Sequence, residues 1–111
     1  MFDGCTKLTG VFSEGKQPCH FDNLVDGYRM FANSGISSVY GELNNLTNGR
    51  EMFSGCDKLS YFYGSLSSLT NGYLMFANSG IYYFTKNNSY EAVVMNDLTY
   101  GAGMFEGCNK L

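Results

Sequence analysis

Met52-Phe53-Ser54-Gly55-Cys56-Asp57-Lys58-Leu59 is repeated in near copy at Met1-Phe2-Asp3-Gly4-Cys5-Thr6-Lys7-Leu8 and at Met104-Phe105-Glu106-Gly107-Cys108-Asn109-Lys110-Leu111. The copies begin 51 and 52 residues apart (1 to 52, 52 to 104). Between them, Met30-Phe31 and Met75-Phe76 are followed by Ala-Asn-Ser-Gly-Ile, at 32–36 and 77–81. This version is one residue shorter before its apolar anchor. Four of the five Met-Phe pairs also close the frame Leu-x-x-Gly-x-x-Met, at Leu24…Met30, Leu46…Met52, Leu69…Met75 and Leu98…Met104. Self-similarity at this period is the mark of stacked repeats, each too small to bury its own apolar face alone.

The Met-Phe pairs divide the chain into coils at 1–29, 30–51, 52–74, 75–103 and 104–111, the last one partial. The alternation of Gly-Cys and Ala-Asn-Ser-Gly text points to a duplicated pair of coils. After each anchor comes a short run rich in β-branched and aromatic residues: 8–12, 36–40, 59–63 and 81–85. Each reads as one strand, and in register the strands would form a parallel ladder. Leu43/Leu46 and Leu66/Leu69 then turn the chain onto its return face. Asn48-Gly49 and Asn71-Gly72, with Asp26-Gly27 as their counterpart, read as turns in which Gly supplies a positive φ. Gly-x-x-Met-Phe is expected to be a single helical or 3₁₀ turn, ended by Asn33 or Asn78. Roughly six inward side chains per coil, each worth about 1.5–3 kcal/mol on burial, would stabilise a stack but not a lone coil.

This frame resembles the BspA-like leucine-rich repeats of bacterial surface proteins, in their variant with a Met-Phe-x-x-Cys-x-x-Leu signature. The resemblance runs over nearly the whole chain and is most specific at 52–59, 1–8 and 104–111. The Ala-Asn-Ser-Gly-Ile coils depart from it by lacking the Cys, and two coils are long. It implies a right-handed α/β solenoid, with one short parallel strand per coil and short helical or 3₁₀ turns on the opposite face. It also implies display at a cell surface or outside the cell. Both ends carry ordinary repeat text instead of polar caps, so the chain is expected to be a fragment of a longer array. Inserts at 13–23 and 86–97 break the rhythm and should leave from one edge, either decorating a binding side or drifting neutrally.

Composition narrows the function classes. The net charge is −3, only 15% of residues are charged, and no basic stripe offers itself to nucleic acid. No apolar run reaches the roughly 18 residues of a membrane span, and the first residues lack the regions of a signal peptide. Cys5, Cys56 and Cys108 hold one repeat position two coils apart, beyond disulfide reach of one another, and read as packed thiols. Cys19 lies in an insert, and a Cys5–Cys19 bridge is geometrically conceivable. His20 is the lone histidine and has no identifiable catalytic partners. The cysteine spacing fits no zinc site and the carboxylates form no calcium loop. No catalytic residue, cofactor or metal is therefore assigned.

The strands carry the remaining signal. With the first and fourth residues of each strand inward, the third and fifth face out. Tyr40, Tyr61, Tyr63 and Tyr83 then share one continuous face. Tyrosine combines a broad apolar ring with a hydroxyl and loses little entropy on contact, which suits recognition; the same rings also support a ladder by stacking. The expectation is a non-enzymatic recognition or adhesion module binding a protein or glycan through this face. The alternative is a structural spacer or assembly element, including a phage fibre or virion protein, stacking through uncapped ends onto neighbouring repeats or its own copies.

Overall fold

The computed structural model describes residues 23–85, 93 and 95–110. The first coil's strand at 8–12, Cys5, Cys19, His20 and the bodies of both inserts lie outside the described residues. Among those described there is one three-stranded parallel sheet and no helix. Strand β1 spans Ser38–Glu42, β2 Tyr61–Ser65 and β3 Tyr83–Thr85, side by side in chain order. Each begins two residues later than the pattern predicts. The register pairs Val39 with Phe62 and Phe62 with Phe84, so one apolar row runs across the sheet.

The core lies behind that row. Ile36, Leu59 and Ile81 are fully buried, as are Val39 and Phe62. Leu43/Leu46 and Leu66/Leu69 are buried too, each pair closed by a turn in which the second Leu N–H donates to the first Leu carbonyl, at 3.2 and 3.1 Å. Met95/Leu98 makes the same turn at 3.2 Å. Across the core, Phe31, Phe53, Phe76 and Phe105 form a column. Their ring centroids are 5.6, 5.4 and 5.5 Å apart, with planes within 6°. Offset parallel rings at such distances gain more than area burial alone. Phe62 and Phe84 meet this column edge-on at 5.1–5.4 Å through Phe76 and Phe105.

The return segment differs from the expected helical turn. In 27–34, Met30, Ala32 and Ser34 donate back to Gly27, Arg29 and Phe31. The alternate amides of Gly27, Arg29, Phe31 and Asn33 donate outward to the carbonyls of Asn48, Arg50, Met52 and Ser54, at 2.8–3.1 Å. The pattern recurs at 49–56 and 72–79. A helix would turn every amide back on its own segment. Here two left-handed residues per unit reverse alternate peptides: Arg29 and Asn33, Glu51 and Gly55, Leu74 and Asn78, Gly103 and Gly107, all with φ between 50° and 76°. Each non-Gly residue held there costs about 1–2 kcal/mol, offset by hydrogen bonds that leave no amide of the segment orphaned.

The repeated Gly of Leu-x-x-Gly has a different role from the one its turn context suggests. Gly27, Gly49 and Gly72 are not among the positive-φ residues. A Cβ on Gly27 would lie 2.6 Å from Met52 Sδ, and one on Gly49 2.7 Å from Met75 Sδ. The Met of the next unit packs onto a bare backbone, so Gly and Met belong to one contact.

A physical pairing also underlies the alternating text. Asn33 and Asn78 are left-handed, at φ 58° and 57°, the conformation Asn tolerates best after Gly. Their carboxamides lie where Gly55 and Gly107 would carry a Cβ, with Cγ 3.1 and 3.2 Å away. One position on, Ser34 faces Cys56 at 3.6 Å and Ser79 faces Cys108 at 3.5 Å. Asn fits over Gly, and Ser against Cys, in each successive pair.

Candidate recognition surfaces

The outward row of the sheet is aromatic. Tyr61 pairs with Tyr83 in the ladder, and Tyr63 with both Tyr40 and Thr85. Tyr61 stacks on Tyr63 at 5.7 Å and on Tyr83 at 5.6 Å. Tyr82, which the alternating pattern leaves unassigned, joins them. Its ring lies 5.1 Å from Tyr61 and 4.8 Å from Tyr83, and its hydroxyl donates to the Tyr61 hydroxyl at 2.6 Å. That hydrogen bond holds the Tyr82 phenol neutral and pushes its pKa up to about 12. Tyr83 is 47% exposed and Tyr82 39%, whereas Tyr61 and Tyr63 are half-buried beside them. The Tyr40 side chain lies outside the described residues; its backbone aligns with Tyr63. Ser38, in the same row, is buried next to Tyr61.

A second surface forms where the Asn-Gly positions stack. Asp26, Asn48, Asn71 and Tyr100 make successive parallel bridges. Asp26, Asn48 and Asn71 each accept, through the side chain, the N–H two residues on, at 3.0–3.1 Å. Such Asx turns fix the backbone that presents the following residue. Two residues beyond the bridge the row reads Tyr28, Arg50, Tyr73 and Ala102. The Arg50 guanidinium sits between two rings, 5.6 Å from Tyr28 and 5.1 Å from Tyr73. Tyr100 meets Tyr73 edge-on at 5.4 Å. Arg50, Asn71, Tyr73 and Tyr100 line an open cleft of about 270 Å³. These residues sit among the variable positions of the frame, outside the repeated motif. The legible signal was Tyr-Arg-Tyr recurring at the unit spacing, directly after the repeated Gly.

Cys56 and Cys108 are free thiols. Cys56 is buried and donates to the Phe31 carbonyl at 3.0 Å; burial is the main cause of its raised pKa. Cys108 makes the equivalent bond to Phe76 at 3.0 Å. Both are packing groups in the core wall. Among the described residues no cluster of three His, Cys, Asp or Glu is placed to hold a metal, and no helix is long and apolar enough to cross a membrane. No family model matches this chain, and neither a curated protein nor a solved structure matches it.

Proposed function

We propose that the chain is a right-handed leucine-rich-repeat solenoid of the BspA-like kind, and that its strand face is a non-enzymatic recognition surface for a protein or glycan. The observation that carries the reading is the run of touching tyrosines at 61, 63, 82 and 83, two of them more than a third exposed. Rings that brace one another lose little further freedom on binding, so contact area converts more fully into affinity. The fold part of the proposal draws on the unit-to-unit hydrogen bonds and on the Met-Phe-x-x-Cys-x-x-Leu text at 52–59. Display at a bacterial surface, or on a virion, belongs to the same reading.

The test is an array of immobilised glycans and candidate surface proteins probed with the chain and two double variants. Tyr82→Ser with Tyr83→Ser should abolish a specific signal while leaving the melting temperature within a few degrees. Tyr61→Ala with Tyr63→Ala should abolish it too, with some loss of stability. Signals untouched by both variants would remove this face from consideration.

A second reading, an assembly element that stacks unit on unit between chains, is favoured by one observation. Phe105 and Cys108 are only half-buried, whereas Phe53, Phe76 and Cys56 in equivalent places are fully buried. Light scattering over a concentration series separates the two. Growth that Phe105→Ser suppresses supports assembly, and a concentration-independent monomer opposes it.

A further inference from the structure

We propose that the cleft lined by Arg50, Asn71, Tyr73 and Tyr100 binds an acidic monosaccharide unit, a six-membered sugar ring bearing a carboxylate. This site lies at the Asn-Gly stack, involves none of the strand tyrosines and stands whether or not that face binds anything.

The cleft exists because one unit departs from the repeat at two positions. Where the other units carry Asp26, Asn48 or Asn71, this one carries Tyr100; where they carry Tyr28, Arg50 or Tyr73, it carries Ala102. In the regular part of the stack, Asn48 Nδ2 donates to Asp26 Oδ1 at 3.1 Å. By that direction Asn71 would donate back to Asn48, but no such bond forms, and the Asn71 amide N–H₂ has no acceptor among the described residues. Ala102 places only a methyl group where a ring or guanidinium would extend the Tyr28–Arg50–Tyr73 column. Space opens beside Tyr73, and Tyr100, 53% exposed, forms its wall.

The chemistry of the lining selects the ligand. The Arg50 guanidinium carbon lies over the Tyr28 and Tyr73 rings, at 5.6 and 5.1 Å, and its N–H groups have no carboxylate partner among the described residues. A fixed guanidinium fork matches a carboxylate two-point contact with little ordering cost. A cleft lined by a single cation, in a chain of net charge −3, suits a single negative charge and not a phosphodiester strand. The flat, exposed Tyr100 ring offers the apolar platform that the C–H face of a sugar requires, and Asn71 supplies a donor for a ring hydroxyl. At about 270 Å³ the cleft is at the small end of ligand sites, the size of one ring.

Titration of the full chain with methyl β-D-glucuronide, methyl β-D-glucoside and sodium acetate, read by the ring resonances of Tyr73 and Tyr100, tests the proposal. A saturable shift with the glucuronide, at least tenfold tighter than with either other probe, is expected. Arg50→Gln should erase the preference over the glucoside. Ala102→Tyr restores the regular row and should fill the cleft, ending binding with circular dichroism unchanged. Tyr100→Ala, which removes the platform without adding bulk, should weaken binding tenfold if Ala102→Tyr fails to fold. Tyr83→Ala should change nothing. Equal affinity for acetate would reduce the site to an ion contact, and equal affinity for the glucoside would remove the role of Arg50. Either result, or no saturation at tens of millimolar, overturns the proposal.

Discussion

Gly49 is bare because Met75 of the next unit rests on it, and the cost of adding a methyl depends on what must move. In Gly49→Ala the Cβ meets Met75 Sδ at 2.7 Å and Leu69 Cδ1 at 3.0 Å, both side chains with some room to shift. Overpacking of this kind is expected to cost about 1–3 kcal/mol in urea denaturation. Gly80→Ala should cost more, because its Cβ would sit 2.5 Å from the Asp57 carbonyl oxygen, which is backbone and cannot yield. Met75→Ala should remove part of the Gly49→Ala penalty, so the double variant will be less damaged than the sum of the singles. The sequence displays these glycines plainly but hides their purpose: Asn-Gly suggests a left-handed turn, and only the Met one unit later explains the bare backbone. Tyr82 provides a second residue-level expectation. Its phenol pKa is raised from 10.0 to about 12 because it donates to Tyr61. A pKa raised by folding gives stabilisation that is complete below pH 10 and lost as pH climbs toward 12. Tyr61→Phe should return the Tyr82 ring carbon titration in NMR to the ordinary tyrosine range; an unmoved titration would mean the hydroxyl pair is not its cause.

Among elements, the phenylalanine column runs from unit to unit through the core. Phe53 lies between Phe31 and Phe76 and is fully buried, so Phe53→Ala is expected to cost about 3–5 kcal/mol. Phe105 has a described ring partner in the column on one side only, Phe76, and is half-buried. Phe105→Ala should therefore cost less than Phe53→Ala, and the order of denaturant midpoints checks this. The strands were legible because β-branched and aromatic runs such as 59–63 have few other uses, but they begin two residues late, so the buried Leu59 and Ile81 precede β2 and β3 while Phe62 and Phe84 are inward within them. The return segment was not legible. Gly-x-x-Met-Phe suits a helical turn locally, and what prevents one is the row of carbonyls on the adjacent unit, which draws out alternate amides. Left-handed Arg29, Glu51 and Leu74 carry no signal of their own, since nothing in their chemistry favours that conformation. The aromatic cleft was hidden for a related reason. It arises from a break in the pattern at Tyr100 and Ala102, and a search for recurrence passes over departures.

For the molecule as a whole, stability resides in contacts between neighbouring units. The amides of Gly49, Glu51, Phe53 and Gly55 each donate 2.8 Å bonds to the next unit, and the carbonyls of the residues just before them, Asn48, Arg50, Met52 and Ser54, accept from the preceding unit. Hydrogen exchange should therefore slow these four together, as one cooperative group, and Phe53→Ala should speed all of them at once; independent responses would argue against such coupling. The seating of Asn33 over Gly55 and of Asn78 over Gly107 has a consequence for how such a chain changes length. An Asn unit must be followed by a Gly unit, because a second Asn would drive its Cβ into the first carboxamide. Duplicating 30–74 keeps that order and should yield a longer, equally stable protein. Duplicating 30–51 alone would set Asn beside Asn and should misfold or melt early. Growth by gene duplication is thus governed by neighbour order: an added Gly unit meets no carboxamide with a Cβ, whereas an added Asn unit set after Asn leaves a steric fault.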